Sequence, residues 1–119
     1  MNLLMPPKIK AKQTKPIELI RITGLSLENC YLTAEMLEIL AKKLRINRTL
    51  VRLNLSCNGI KCVSGTQIIS ALKDNISVCF LDLSSNFLRD QFANSLADTL
   101  RVNNILSEID ISNNQVFAF

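Results

Sequence analysis

The chain of 119 residues has no histidine and no tryptophan, and it has only three glycines. Without histidine, the most common general base is missing, and so are the Ser/His/Asp and Cys/His catalytic arrangements. Three glycines supply no Gly-rich loop of the kind that cradles phosphate groups. These absences weigh against the common enzyme classes, and we expect a protein that is not an enzyme and needs no cofactor.

Long apolar runs are also missing, and the chain has four cysteines. The opening MNLLM is interrupted by Pro6 and Pro7, and no later run approaches the length of a bilayer span. We therefore expect no transmembrane segment and an intracellular, cytoplasmic protein, with cytoskeletal or ciliary association as an alternative. The cysteines form no C-x-x-C pair and have no histidine to complete a mixed zinc site, which predicts reduced thiols and no bound metal at Cys30, Cys57, Cys62 and Cys79.

The basic residues are unevenly distributed. Residues 1–16 carry four lysines and no acid, while the rest of the chain holds ten basic and ten acidic residues. The sequence thus predicts a basic N-terminal tail at 1–16 and a neutral domain at 17–119. A neutral domain argues against a specific nucleic-acid footprint, which needs clustered cations on one face. The tail is predicted to be a solvated arm, with contact to phosphates or anionic lipid as the weaker alternative.

One short phrase occurs four times at a fixed interval. The copies are LSLENCYL (25–32), LNLSCNGI (53–60), LDLSSNFL (81–88) and IDISNNQV (109–116). With the preceding apolar residue each fits L-x-x-L-x-L-x-x-N/C-x-L, and the interval from one copy to the next is constant, without insertion. Such a unit cannot bury its apolar stripe alone and must stack on its neighbours. The units start at Ile22, Leu50, Val78 and Leu106, and the last is incomplete.

Within each unit, two apolar residues flank a polar one, as Leu53 and Leu55 flank Asn54. This alternation predicts a short strand with one buried face. A column of side chains marks the turn out of each strand, where we expect it to satisfy unpaired backbone groups: Cys30, Asn58, Asn86 and Asn114. Because cysteine makes only weak hydrogen bonds, the first unit should be the loosest at this point.

Between the strands the apolar period changes to 3.6, which predicts helices in TAEMLEILAKKLRIN (33–47) and from Phe92 to Leu100. The middle unit has Ser64 and Gly65 at the equivalent places, so we expect its helix to start late. Asparagines recur after the last helical turn, where we expect a left-handed residue, at Asn47, Asn75 and Asn103.

The 28-residue unit, as in LVRLNLSCNGI and VCFLDLSSNFL, resembles the ribonuclease-inhibitor-like leucine-rich repeat proteins over residues 22–116. The expected fold is α/β, a right-handed horseshoe segment of a leucine-rich repeat solenoid, with short parallel strands on the concave face and helices on the convex face. The resemblance implies a wide range of functions, since similar repeats serve as inhibitors, cytoskeletal and actin-end proteins, ciliary components, innate-immune sensors and GTPase activators.

The outward strand positions of this arc predict a face that binds another protein. Arg52 and Phe80 are residue types that anchor interfaces, and acidic residues follow toward the C-terminus. The predicted partner-binding residues are Arg52, Asn54, Phe80, Asp82, Glu108 and Asp110. The alternatives are an ion pair of Arg52 with Asp82 or Glu108, and partial cover of Phe80 by its neighbours. Asp82 and Asp110 could also act as paired carboxylates, but Asp or Asn is ordinary at this position of the repeat.

The predicted function is a noncatalytic protein-interaction or scaffold module that binds through the concave face or the ends. Val116, Phe117 and Phe119 are predicted to lie near an edge with no covering helix. We therefore expect the chain either to be part of a longer array or to associate there with another chain or a second copy. The alternatives are a regulator of a small GTPase, with Arg52 supplying a charge, and a cytoskeletal or ciliary structural component.

Overall fold

The computed structural model describes residues 22–115, in which four short strands alternate with three helices. The elements are β1 (Gly24–Ser26), α1 (Ala34–Ile46), β2 (Arg52–Asn54), α2 (Cys62–Ala71), β3 (Phe80–Asp82), α3 (Gln91–Val102) and β4 (Glu108–Asp110). The predicted tail at 1–16, the start of the domain at residue 17, and the predicted open edge at Val116, Phe117 and Phe119 lie outside the described residues. Within residues 22–115, no helix combines the length and the apolar character needed to cross a bilayer.

The strands form one parallel sheet in the order β1-β2-β3-β4. Each strand begins one full repeat after the strand before it, and the register pairs equivalent positions, as Leu53 with Leu81. The loops extend the pairing beyond the short strands, since the N–H of Leu55 donates to the carbonyl of Asp82 at 2.8 Å. The predicted α/β architecture, with parallel strands separated by helices, is confirmed at this level.

The hydrophobic core lies between one face of the sheet and the helices. Helix α2 packs against both α1 and α3. Each leucine or isoleucine that is fully buried contributes about 1.5–3 kcal/mol relative to an exposed one. The edge strands are less covered, because Leu25 and Ile109 are only partly buried. The central core residues include Leu37, Leu44, Leu53, Leu55, Ile68, Ile69, Leu81, Leu83, Phe92 and Leu96.

Helix α2 begins at Cys62, which is equivalent in the repeat to Ala34, the first residue of α1, so the expected late start is wrong. Ser64 and Gly65 lie in its first turn and are buried. A Cβ atom at Gly65 would collide with Leu88 and would stand 3.3 Å from the ring of Phe92. The small residues therefore leave space for the side chains of the next unit, and they do not shift the start of the helix.

The asparagines that follow the helices are not left-handed, which corrects a second expectation. Asn47 and Asn103 have extended backbones with φ of −71° and −95°. The Oδ1 atom of Asn47 accepts from the N–H of Leu50 at 2.8 Å, and the amide of Asn75 donates to the carbonyl of Leu44 in the preceding unit at 2.8 Å. These side chains thus set the loop into the next strand and join adjacent units. Left-handed φ values of 53° to 57° occur instead after the strands, at Asn29, Cys57, Ser85 and Asn113.

Candidate partner-binding face of the sheet

The six residues predicted to bind a partner line one open depression of about 510 Å³ on the sheet. We call the surface that these six residues form the strand face. Neighbouring strands lie about 4.8 Å apart, so side chains at paired positions are within reach of one another. The register arranges them in two rows across β2, β3 and β4: Arg52, Phe80 and Glu108 in one row, and Asn54, Asp82 and Asp110 in the other.

The centre of the strand face is a stacked pair. The guanidinium carbon of Arg52 lies 4.0 Å from the centroid of the Phe80 ring. Arg52 is exposed and Phe80 is half-buried. No ion pair joins Arg52 to Asp82 or Glu108 among residues 22–115, so the internal ion pair considered from the sequence is not formed. A cation held over an aromatic face at an exposed site is worth about 0.5–1 kcal/mol.

The two aspartates in the second row of the strand face each accept hydrogen bonds from the serine two positions later. The Oδ1 atom of Asp82 accepts from the N–H and the hydroxyl of Ser84 at 2.8 and 2.6 Å. Asp110 accepts from the same two groups of Ser112 at 2.9 and 2.7 Å. The hydroxyl of Ser112, and then its N–H, hold the pKa of Asp110 below its ordinary value. Asp82 and Asp110 are thus turn-forming side chains, which is an arrangement unlike a carboxylate pair that shares a proton.

Ser56 lies two positions after Asn54, where the strand alternation predicts an outward side chain, and it is buried, with 5% of its surface exposed. Its hydroxyl donates to the Oδ1 atom of Asn54 at 2.7 Å, and its N–H donates to the same atom at 2.9 Å. This turn recurs along the chain and was not predicted from the sequence. Its signal was present, because Asn or Asp followed two positions later by Ser occurs at three equivalent places: Asn54 and Ser56, Asp82 and Ser84, Asp110 and Ser112.

Acidic side chains dominate the charge of this region. Glu28, in the turn that follows β1, lies beside Asn54, whose amide is 3.4 Å from the Glu28 carboxylate. Together with the three acidic residues of the strand face, it brings the acidic side chains of this region to four, against one cation, Arg52. Glu108 and Asp110 are exposed at one end of the strand face. A negative field of this kind attracts basic groups and weakens with added salt.

Next to the strand face, successive units are connected by the column of side chains at the turns out of the strands, which consists of Cys30, Asn58, Asn86 and Asn114. The amide of Asn86 donates to the carbonyls of Leu83, Ser84 and Leu55, at 2.9, 3.1 and 3.1 Å. Its Oδ1 atom accepts from the N–H of Asn58 at 2.9 Å and from that of Ile60 at 3.0 Å. Asn58 and Asn114 donate to their own and the preceding unit's carbonyls in the same way.

Cys30 occupies the first place of this column and makes a weaker contact. Its Sγ atom lies 3.4 Å from the carbonyl of Glu28, and the residue is exposed. Its N–H still donates to the Oδ1 atom of Asn58 at 2.9 Å, as the repeat requires. No group of three cysteine or acidic side chains within residues 22–115 is arranged to hold a metal ion.

Comparison with known proteins identifies the type of fold. No protein-family model matches the chain, and no curated protein matches it in sequence. The solved structure of leiomodin-1 actin-binding site 2 matches with a TM-score of 0.75 and 21% identity, over 89% of this chain and 64% of that chain. The tropomodulin C-terminal domain of Caenorhabditis elegans matches with a TM-score of 0.72 and 17% identity, over 79% of this chain and 57% of that chain. This chain therefore spans less than two thirds of either neighbour, and the likeness agrees with a leucine-rich-repeat type of fold.

Proposed function

We propose that the chain is a noncatalytic protein-interaction module whose strand face holds a segment of a partner protein. The observation that carries this proposal is the stack of Arg52 on Phe80, at 4.0 Å, in the centre of an open face. Arginine and aromatic side chains supply a large share of the binding energy in many interfaces. Here the two lie side by side on rigid strands, so a partner gains their contacts with little loss of conformational entropy.

The charge of the strand face indicates the chemistry of the partner segment. Asp82, Glu108 and Asp110 lie on one side of the stacked pair, and Asp82 and Asp110 each use one oxygen atom in a turn. Carboxylates in this arrangement favour a lysine or arginine of the partner. We therefore infer a segment that places an apolar side chain against Phe80 and a basic side chain toward Glu108 and Asp110.

We also propose the type of repeat and the curvature of the sheet. The 28-residue period and the in-register pairing of equivalent strand positions support a ribonuclease-inhibitor-like repeat over 17–119, in which the strand face is concave and the helices lie on the convex side. The basic tail at 1–16 then stands outside the repeat domain. Further repeats or a second chain would extend the array at its ends.

Actin is the first partner to test, and the cytoskeleton is the first location to examine. The reason is that the leiomodin-1 region described as an actin-binding site has the same type of fold. A regulator of a small GTPase stays the alternative from another class, in which Arg52 would approach the partner's nucleotide.

The test is co-sedimentation of the full chain with actin filaments, together with a fluorescence assay of filament elongation. Arg52→Glu combined with Phe80→Ala should abolish binding while the circular dichroism spectrum is unchanged. A matched control, Lys43→Glu combined with Ile39→Ala, makes the same kinds of change on α1, where both side chains are exposed. This control should bind as the original chain does.

Three results would count against parts of the proposal. Equal binding by the strand-face variant and the control would remove the strand face from the interaction. Binding to a small GTPase with accelerated turnover, lost in Arg52→Ala, would favour the alternative. Absence of actin binding together with capture of another partner through Arg52 and Phe80 would keep the interaction module and discard actin.

A further inference from the structure

A second surface lies at the edge where the loops enter α2 and α3. It is an open groove of about 550 Å³, and it does not share residues with the strand face. We call it the loop-edge groove, and its lining residues are Lys61, Cys62, Val63, Phe87 and Arg89.

The backbone of this groove is fixed by the repeat. Lys61 and Phe87 form a parallel bridge, in which the N–H of Phe87 donates to the carbonyl of Ile60 at 2.8 Å. The N–H of Arg89 donates to the carbonyl of Asn114 at 2.9 Å. Because both loops are held by these bonds, Lys61 and Arg89 are fixed at equivalent positions of adjacent units.

Two apolar side chains in the groove are exposed although their neighbours are not. Val63 is 74% exposed and Phe87 is 51% exposed. The next residue after Phe87, Leu88, is completely buried. The repeat therefore does not need Phe87 for its core, and its half-exposed ring lines the same groove as Lys61 and Arg89.

The charge of the groove is positive, in contrast with the strand face. Neither Lys61 nor Arg89 forms an ion pair with another residue of the part that the structure describes. The first turn of α2 contains no acidic residue, so its N–H groups add to the positive potential. Two acidic residues flank this region in the repeat: Asp90, which follows Arg89, and Glu35, which stands in α1 at the position equivalent to Val63.

We propose that the loop-edge groove binds a segment of a partner protein that combines a carboxylate with a large apolar side chain. The apolar side chain packs on Phe87 and Val63, and the carboxylate lies between Lys61 and Arg89. Complementary charge favours an acidic segment in this groove, because a basic segment would be repelled by two cations. A basic segment fits the acidic strand face instead. The two surfaces accept opposite chemistries, so one chain can hold two partner segments at once.

The experiment is a selection from a phage-displayed library of random peptides of roughly 12 residues, which span about 40 Å when extended. The full chain is the target, in parallel with the charge-reversal variant Lys61→Glu/Arg89→Glu and the control Lys42→Glu/Lys43→Glu, which has the same net charge. Phe87→Ser tests the apolar contact. The affinities of the recovered peptides are measured by fluorescence polarisation, and circular dichroism checks each variant's fold.

We expect the full chain and the control to enrich peptides in which Asp or Glu neighbours Phe, Leu or Trp. Lys61→Glu/Arg89→Glu and Phe87→Ser should each lower the affinity for those peptides by about tenfold or more. This loss corresponds to one well-formed interface contact. Their binding should be unchanged by Arg52→Glu on the strand face.

The other results overturn the proposal. Two results would exclude the groove as a site for acidic segments. One is enrichment of peptides without an acidic preference, and the other is equal affinity of the peptides for Lys61→Glu/Arg89→Glu and for the original chain. Binding to phosphatidylserine vesicles that depends on Lys61 and Arg89, without recovered acidic peptides, assigns it to a lipid surface. Concentration-dependent dimerisation that Phe87→Ser abolishes assigns it to a second copy of this chain.

Discussion

The side-chain amide of Asn75 donates a hydrogen bond to the main-chain carbonyl of Leu44, 2.8 Å away in the preceding unit. The Oδ1 atom of the same side chain accepts from the N–H of Val78 at 2.7 Å. Asn75 is 2% exposed, so both contacts are shielded from water. One side chain therefore completes the end of α1 and begins the approach to β3.

Asn75→Ala should lower the free energy of unfolding by about 2–6 kcal/mol, because it leaves two buried backbone groups unpaired and each costs about 1–3 kcal/mol. Urea denaturation followed by circular dichroism measures this change. Asn104→Ala is the control, since Asn104 is exposed, and it should change stability by less than about 0.5 kcal/mol. Equal effects of the two substitutions would show that the Asn75 side chain does not join the units.

Gly65→Ala should destabilise the protein although the residue is helical. Helix propensity alone predicts a gain of about 1 kcal/mol. The added Cβ atom, however, collides with Leu88 and crowds Phe92 at 3.3 Å, and overpacking of this kind costs about 1–3 kcal/mol. Thermal unfolding gives the sign directly.

The matched background for this test is Leu88→Val, which shortens the side chain that the new Cβ atom meets. Gly65→Ala should cost less in Leu88→Val than in the original chain, by about 0.5 kcal/mol or more. Equal costs in the two backgrounds would mean that the clash with Leu88 is not the cause.

Ser112→Ala should raise the pKa of Asp110 toward its ordinary value of about 3.9, because it removes the hydroxyl that contributes most to lowering it. The carboxyl carbon of Asp110, followed by NMR through an acid titration, reports this pKa. Ser26→Ala, at an exposed position of β1, should leave it unchanged.

The lowered pKa of Asp110 also fixes the sign of its pH dependence. A group whose pKa is lower in the folded state contributes stability above its unfolded-state pKa of about 4, and this contribution is lost as the pH falls through the folded-state value. Ser112→Ala should therefore reduce the loss of unfolding free energy that occurs as the pH falls below about 4. The size of the effect is small, because Asp110 is exposed. An acid profile that is unchanged by Ser112→Ala would contradict this assignment.

The stack of Arg52 on Phe80 should appear as a coupling energy of about 0.5–1 kcal/mol in a double-mutant cycle of Arg52→Met and Phe80→Leu. Chemical denaturation of the four chains measures it. Because Arg52 forms no ion pair with another residue within 22–115, the coupling should change little between low and high salt. Strong salt dependence would indicate that Arg52 pairs with a carboxylate in solution.

The repeat was sufficient to predict the order of elements, the residues that line each strand and the six side chains that share the strand face. These features follow from periodicity, since a column of equivalent positions in stacked units must lie on one surface. The details that failed depend on contacts between units. The late start predicted for α2 is wrong, because Ser64 and Gly65 interrupt the apolar pattern of the sequence, whereas in the structure Leu88 and Phe92 require the small size of Gly65.

The sequence by itself determined which residues come together, because the repeat interval and the apolar alternation are local properties that survive in any stacked arrangement. Only the tertiary structure decided what those residues do to one another. Arg52 has both an aromatic ring and carboxylates within reach, and the packing of the sheet places it on Phe80. The loop-edge groove likewise depends on the way the loops before α2 and α3 meet, since side chains on separate loops share a surface only once the units have stacked.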